Sequence, residues 1–174
     1  VATTYSWILN SRGDRLDING RLRYDWNSLE YTESNLFDMS GVRYEGTRGY
    51  EDEHHWDFDG TVSYRLNYGS DGNLELGYQY VSYSEHGDYS IKYWDRGHSD
   101  FIWQDDMYAP FFYRRQIHSL YAMVNQKIGA VEFDAGLRGD HTFDELTIAV
   151  AGADRDIKRW NVFPSAHLRY RADE

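Results

Sequence analysis

Residues 15–27 read RLDINGRLRYDWN and alternate strictly between two kinds of side chain. Every even position is apolar or glycine, and every odd position is polar or charged. A period of two over thirteen residues predicts a β-strand with one apolar and one polar face. The apolar face needs a cover, either the interior of a soluble protein or the lipid of a membrane.

The same alternation returns along the chain and predicts an all-β protein. Further segments with this pattern are 3–10, 56–68, 74–80, 131–140 and 160–171. Residues 112–126 are partly apolar on both faces, so the sequence leaves their register open. Together the segments predict seven antiparallel up-and-down strands and no helix.

The connections between the predicted strands differ in length. Three are tight turns that supply glycine for a positive φ: SRGD at 11–14, GSDG at 69–72 and KIGA at 127–130. The other three are expected to be long loops, at 28–55, 84–111 and 144–159. Short turns at one end and long loops at the other are typical of a transmembrane β-barrel. A soluble β-sandwich or lipocalin-like barrel is the alternative.

Strand length and aromatic residues favour the membrane interpretation. A thirteen-residue strand spans about 43 Å, and at a tilt of about 45° it covers an apolar band roughly 25 Å tall. Aromatic residues at strand ends fit the girdles that mark the two membrane interfaces. They are Trp26, Trp56, Tyr80 and Trp160 at one end, and Tyr68 and Tyr170 at the other.

The polar face carries too many charges for a dry interior, because an unpaired buried ion costs several kcal/mol. We expect this face to line a watery lumen, with Arg21, Arg23, Asp57, Asp59 and Arg138 among the lining residues. The net charge of −11 argues against a nucleic-acid partner, which would need a basic patch. The chain has no cysteine, which excludes disulfides and thiolate metal sites, and nothing in it implies a cofactor.

The last third of the chain resembles a known family. Its motifs are Ile117 with Tyr121 and Ala122, then AGLR at 135–138, then FPS at 163–165 with Leu168 and Tyr170. They resemble barrel strands of the TonB-dependent receptors of Bacteroidetes. The resemblance implies a 22-stranded outer-membrane barrel with a plug domain, driven by TonB and in some cases capped by a surface lipoprotein. Residues 1–174 would then be one incomplete barrel segment of a longer receptor.

Two groups of residues are candidate sites. Glu53, His54 and His55 lie in an acidic stretch and offer ligands for a divalent cation, although the spacing matches no defined motif. The alternative is a solvated external loop. The expected loop 84–111 combines aromatic rings with carboxylates, as ligand-contacting surfaces do. Its candidate contact residues are Tyr93, Trp94, Trp103, Tyr108, Asp105 and Asp106.

The function expected from the resemblance is part of a transporter that takes up a nutrient, either a glycan, a peptide or a metal chelate. Two alternatives stay open. One is a small stand-alone outer-membrane barrel that serves as a surface anchor or adhesion module. The other is a soluble β-barrel that binds a ligand inside. No arrangement of residues in the sequence predicts an enzyme, so no catalytic residue is assigned.

Overall fold

A computed structural model describes residues 1–104, 108–149 and 153–171. These residues form eight β-strands. The strands are β1 (Ala2–Ile8), β2 (Arg15–Phe37), β3 (Arg43–Tyr68), β4 (Gly72–Asp95), β5 (Asp100–Trp103), β6 (Ala109–Ile128), β7 (Val131–Ile148) and β8 (Ala153–Tyr170). In the described part of the chain, no helix is long and apolar enough to cross a membrane.

All strands belong to one antiparallel sheet in the order β1-β2-β3-β4-β6-β7-β8. The predicted all-β, up-and-down architecture is therefore confirmed. The short strand β5 pairs with β4 over Lys92–Asp95, beyond the point where β6 ends its own pairing with β4 at Tyr89. The seven predicted strands thus become eight, because β5 lies inside the expected loop 84–111. Within the described residues, β1 and β8 form the two outer edges of the sheet.

The expected long loops are mostly strand, and that prediction was wrong. The pairing of β2 with β3 continues past residue 27 to Phe37 and Arg43, and β4 continues to Asp95. β7 likewise runs to Ile148, and β8 begins at Ala153. The alternation of apolar and polar residues ends before the strands do, because a sheet extension with water on both faces needs no apolar side. Backbone hydrogen bonds between neighbouring strands are enough to continue the sheet.

The three tight turns were predicted correctly. Gly13, Gly69 and Gly129 have φ values of +79°, +62° and +59°, which side chains other than glycine rarely adopt. Gly129 and Ala130 form a two-residue hairpin with the glycine at the first central position, as a type II′ turn requires. This hairpin fixes the open register of β6, since Ile128 pairs with Val131 and every later pair follows.

Cross-strand pairing places the predicted apolar positions on one face of the sheet. Leu16, Ile18, Leu22 and Tyr24 of β2 lie opposite apolar residues of β3, and the series continues to β8. Among the described residues, no hydrophobic side chain is fully buried. The apolar residues therefore form an exposed surface and not a protein core, which is what a lipid-facing sheet requires.

The aromatic girdle crosses the strands at an angle. Following the pairing from Trp26 on β2 through β3, β4, β6 and β7 leads to Asp154 on β8, six residues before Trp160. The offset along the strands is six residues at about 3.3 Å each, and the distance across the sheet is five strand spacings of about 4.8 Å each. The line from Trp26 to Trp160 is therefore inclined by about 40° to the direction perpendicular to the strands. Strands of membrane barrels tilt by about 35–45°, so both tryptophans come to one height.

Among the described residues, aromatic rings cover glycines on neighbouring strands at four places. In each, the two residues are directly opposite, and a Cβ on the glycine would collide with the ring. The pairs are Tyr31 with Gly49, Tyr68 with Gly72, Tyr121 with Gly77, and Phe111 with Gly87. Such pairs fix the register, since a slip of one residue would put a side chain under the ring.

The first turn depends on Asp14, whose side chain is only 1% exposed. Its carboxylate accepts hydrogen bonds from the Asn10 amide at 2.7 Å and from the backbone N–H of Asn67 at 2.8 Å. It also pairs with Arg12 at 3.3 Å. The hydrogen bond from Asn10 above all holds the pKa of this carboxyl below its ordinary value. The turn is thereby joined to the end of β3.

We predict that Asp14→Asn lowers the urea midpoint of unfolding at pH 7. The folded state lowers the pKa of Asp14, so its stabilising effect is present above the unfolded pKa of about 3.9. That effect is lost as the pH falls through the folded value. The difference between wild type and variant should therefore shrink below about pH 4. Urea titrations from pH 7 to pH 3 measure it, and a difference that grows on acidification would contradict the prediction.

Candidate functional site

The polar face of the sheet carries ion pairs between residues that lie directly opposite on neighbouring strands. Arg23 contacts Asp57 at 2.8 Å, and Arg21 lies 4.0 Å from Asp59. Similar pairs join β3 to β4, β6 to β7 and β7 to β8: Arg65 with Glu75, Arg115 with Asp144, and Arg169 with Glu132. The Arg23 side chain is 65% exposed, so its pair with Asp57 contributes little to stability. The pairs keep a charged, hydrated surface close to neutral.

The five residues predicted to line a lumen share this polar face. Arg138 of β7 contacts Asp140 at 2.8 Å and donates to the Ser119 hydroxyl at 2.9 Å. The cross-strand pairing from Arg138 leads through Tyr121 and Gly77 to the same side as Arg21 and Arg23 on β2. The assignment of this side to a lumen stays a prediction.

A cluster of acidic residues and one histidine lies on the polar face at the level of the aromatic girdle, next to Trp56 of β3. His55 of β3 is directly opposite Glu85 of β4, and Glu53 lies two residues from His55 on the same face. Glu53, His55 and Glu85 each offer one ligand atom, and these atoms lie within 4.8 Å of one another. We call these three residues the Glu-His-Glu cluster.

Two tyrosines hold the cluster in place. The Tyr83 phenol donates to Glu85 at 2.5 Å and lies 3.2 Å from His55 Nδ1. The Tyr89 phenol oxygen lies 2.9 Å from Glu53 and 2.8 Å from Glu51, and its single proton is shared between these two acceptors. The carboxyl contact between Glu51 and Glu53 raises the pKa of Glu51 and lowers the pKa of Glu53. Glu53 is thus the more strongly ionised of the two carboxyl groups.

The structure separates the three residues that the sequence suggested as metal ligands. His54 points to the opposite face of the sheet, where its Nδ1 lies 2.7 Å from the Tyr24 hydroxyl and its ring stacks near Trp26. Grouping His54 with Glu53 and His55 was therefore wrong, because neighbours in a strand face opposite sides. Glu85 takes its place. Sequence reasoning missed Glu85 because it is distant from His55 along the chain, and only the pairing of β3 with β4 places the two residues side by side.

Three of the four aromatic candidates for ligand contact, Tyr93, Trp94 and Trp103, lie on strands and not in a loop. Trp94 of β4 and Trp103 of β5 stack on cations, with Arg43 at 4.7 Å from the Trp94 ring and Lys92 at 4.3 Å from the Trp103 ring. Tyr93 lies on the other side of β4 from Trp94.

Tyr108 donates to Asp88 at 3.0 Å. Asp105 and Asp106 lie outside the described residues. Sequence reasoning missed the stacked cations Arg43 and Lys92, since it considered only rings and carboxylates.

Long antiparallel strands with one apolar face, an inclined aromatic girdle and one charged face define an outer-membrane β-barrel. The sequence profile of the outer membrane protein beta-barrel family matches residues 7–174, and the chain belongs to this family. It is a protein of the bacterial outer membrane. The match identifies no bacterial phylum, so the resemblance to receptors of Bacteroidetes stays a prediction.

Solved structures support the same fold. The chain is similar to the ferric citrate transporter FecA in its unliganded form, with a TM-score of 0.63 over 99% of this chain. The sequence identity is 15%, so the similarity shows the fold alone. The chain spans 25% of the length of the FecA chain. No curated protein sequence matches it.

Spin labels at two neighbouring positions test the assignment of the faces. We predict that a nitroxide at Leu22→Cys, in lipid vesicles, relaxes faster with oxygen than with a water-soluble nickel complex. A nitroxide at Arg23→Cys should show the reverse, because residue 23 lies on the polar face. Power-saturation EPR measures both accessibilities. Equal oxygen preference at the two positions would contradict the two-faced membrane sheet.

Proposed function

We propose that this chain forms part of the barrel wall of a TonB-dependent outer-membrane receptor for nutrient uptake. The observation that carries the proposal is the charged, ion-paired face opposite an exposed apolar face. A transporter of this type needs a wide, hydrated interior, and rows of paired arginines and carboxylates suit it. Small barrels of eight strands fill their interior with side chains instead.

The open sheet supports a larger barrel. Unpaired backbone groups are not tolerated in the hydrocarbon region of a bilayer, so a spanning sheet must close on itself. Within the described residues, β1 and β8 do not pair with each other. Further strands would satisfy both edges, and a 22-stranded barrel of the kind implied by the resemblance would contain this chain as one wall segment.

In this proposal the residues of the chain have distinct partners. The apolar face with Trp26, Trp56 and Trp160 contacts outer-membrane lipid. The polar face with Arg23 and Arg138 lines the lumen and contacts the plug domain, which TonB moves. The strand extensions beyond the girdle stand outside the cell, where they meet the substrate and, in some receptors, a surface lipoprotein. The substrate class stays open among glycans, peptides and metal chelates.

The mass of the native polypeptide distinguishes this proposal from a small stand-alone anchor barrel. We propose to insert an affinity tag into the native gene at the turn after Tyr68, extract outer membranes in detergent and determine the intact mass. The expected result is a polypeptide several times longer than 174 residues that crosslinks to TonB in energised cells. The matched control is the same strain with TonB deleted. A polypeptide close to 174 residues, without the crosslink, would overturn the receptor proposal.

A further inference from the structure

We propose that Glu53, His55 and Glu85 form a binding site for a divalent transition-metal ion, with Zn²⁺ as the representative ion. The site lies on the polar face of β3 and β4, at the level of Trp56 in the girdle. It requires only the pairing of these two strands. The inference is therefore independent of the uptake proposed above.

The donor set is the first argument. Two carboxylates and one imidazole can present three ligand atoms within 4.8 Å of one another. Ca²⁺ and Mg²⁺ prefer oxygen ligands, whereas an imidazole with carboxylates suits Zn²⁺ and its neighbours in the first transition row. Three protein ligands leave at least one position for water or for a donor atom of a bound molecule, as in open zinc sites.

The geometry is held by neighbouring structure. The backbone register sets His55 against Glu85, and Tyr83 and Tyr89 donate to Glu85 and Glu53. Such outer hydrogen bonds orient ligands and are part of working metal sites. The three side chains are 15–22% exposed, so they are partly removed from water while an ion can still reach them.

The second argument is charge, and it is independent of the donor set. Three carboxylates of β3 and β4 that lie nearer the tight turns on this face have an arginine within 4.0 Å: Asp57 has Arg23, Asp59 has Arg21, and Glu75 has Arg65. Among the described residues, no arginine or lysine lies within that distance of Glu51, Glu53 or Glu85. Negative charge is thus left without a nearby arginine or lysine where the His55 imidazole joins these carboxylates.

A bound ion would replace contacts that the cluster now makes within itself. His55 Nε2 lies 3.3 Å from Glu53, and its Nδ1 lies 3.9 Å from Glu85. Coordination requires a neutral imidazole and ionised carboxylates, so binding competes with protons. No bond other than the metal–ligand bonds forms, and the released protons go to water.

Titration of the detergent-solubilised protein with Zn²⁺ tests the site. We expect one equivalent to bind by calorimetry, and His55→Gln or Glu85→Gln to weaken binding at least about tenfold, as loss of supporting groups in metal sites does. His54→Gln is the matched control, since it removes a neighbouring histidine from the opposite face. It should leave the affinity unchanged. Ca²⁺ should not displace the Zn²⁺.

A second measurement keeps the test decisive where a variant folds poorly. In the wild-type protein, Zn²⁺ should protect His55 from diethyl pyrocarbonate and leave His54 reactive, as read by peptide mass spectrometry. Binding that survives both His55→Gln and Glu85→Gln, or that protects the two histidines equally, would overturn the proposal. Failure to bind Zn²⁺ in the folded wild type would also overturn it. Neither result affects the mass and crosslinking test of receptor function.

Discussion

The cross-strand hydrogen-bond register is the constraint on which the rest of the structure depends. In hydrocarbon, every backbone N–H and C=O must find a protein partner, and a sheet can supply them only by continuous pairing. The pairing of β3 with β4 runs without a shift from Thr47–Tyr93 to Tyr68–Gly72. A slip of one residue would move every apolar side chain into the polar face. The tight hairpins and the aromatic-covered glycines hold the register against that slip.

Everything on the two faces follows from this pairing. One face collects the apolar residues, and the tilt usual in membrane barrels would bring Trp26 and Trp160 on this face to a common height. The other collects the charges and sets Arg23 against Asp57. Since the Arg23 side chain is well exposed, its pair with Asp57 contributes little to stability and mainly neutralises charge on a hydrated surface. A neutralised, hydrated wall is compatible with an aqueous lumen, whereas a row of unpaired charges of one sign would repel itself.

The sequence predicts the membrane part of this fold well and the external part poorly, for a physical reason. Between the turns and the girdle, lipid on one side and water on the other impose a period of two, and residues 15–27 show it directly. Beyond the girdle both faces meet water, the constraint ends, and β2 continues to Phe37 without a readable pattern. The candidate metal site suffers from the same limit. His55 and Glu85 are thirty residues apart in sequence and become neighbours only through the register.

The ion-paired part of the polar face and the Glu-His-Glu cluster differ in how strongly they can attract a charged ligand. A carboxylate that is already paired with an opposite arginine attracts a further cation only weakly. The Glu-His-Glu cluster has carboxylates and an imidazole but no nearby arginine or lysine, so it attracts a cation more strongly. In the proposed orientation, with the strand extensions outside the cell, Glu53 and Glu85 lie on the external side of the ion pairs that Arg23 and Arg21 make. An incoming cation would therefore meet the unmatched charge first and the matched wall afterwards.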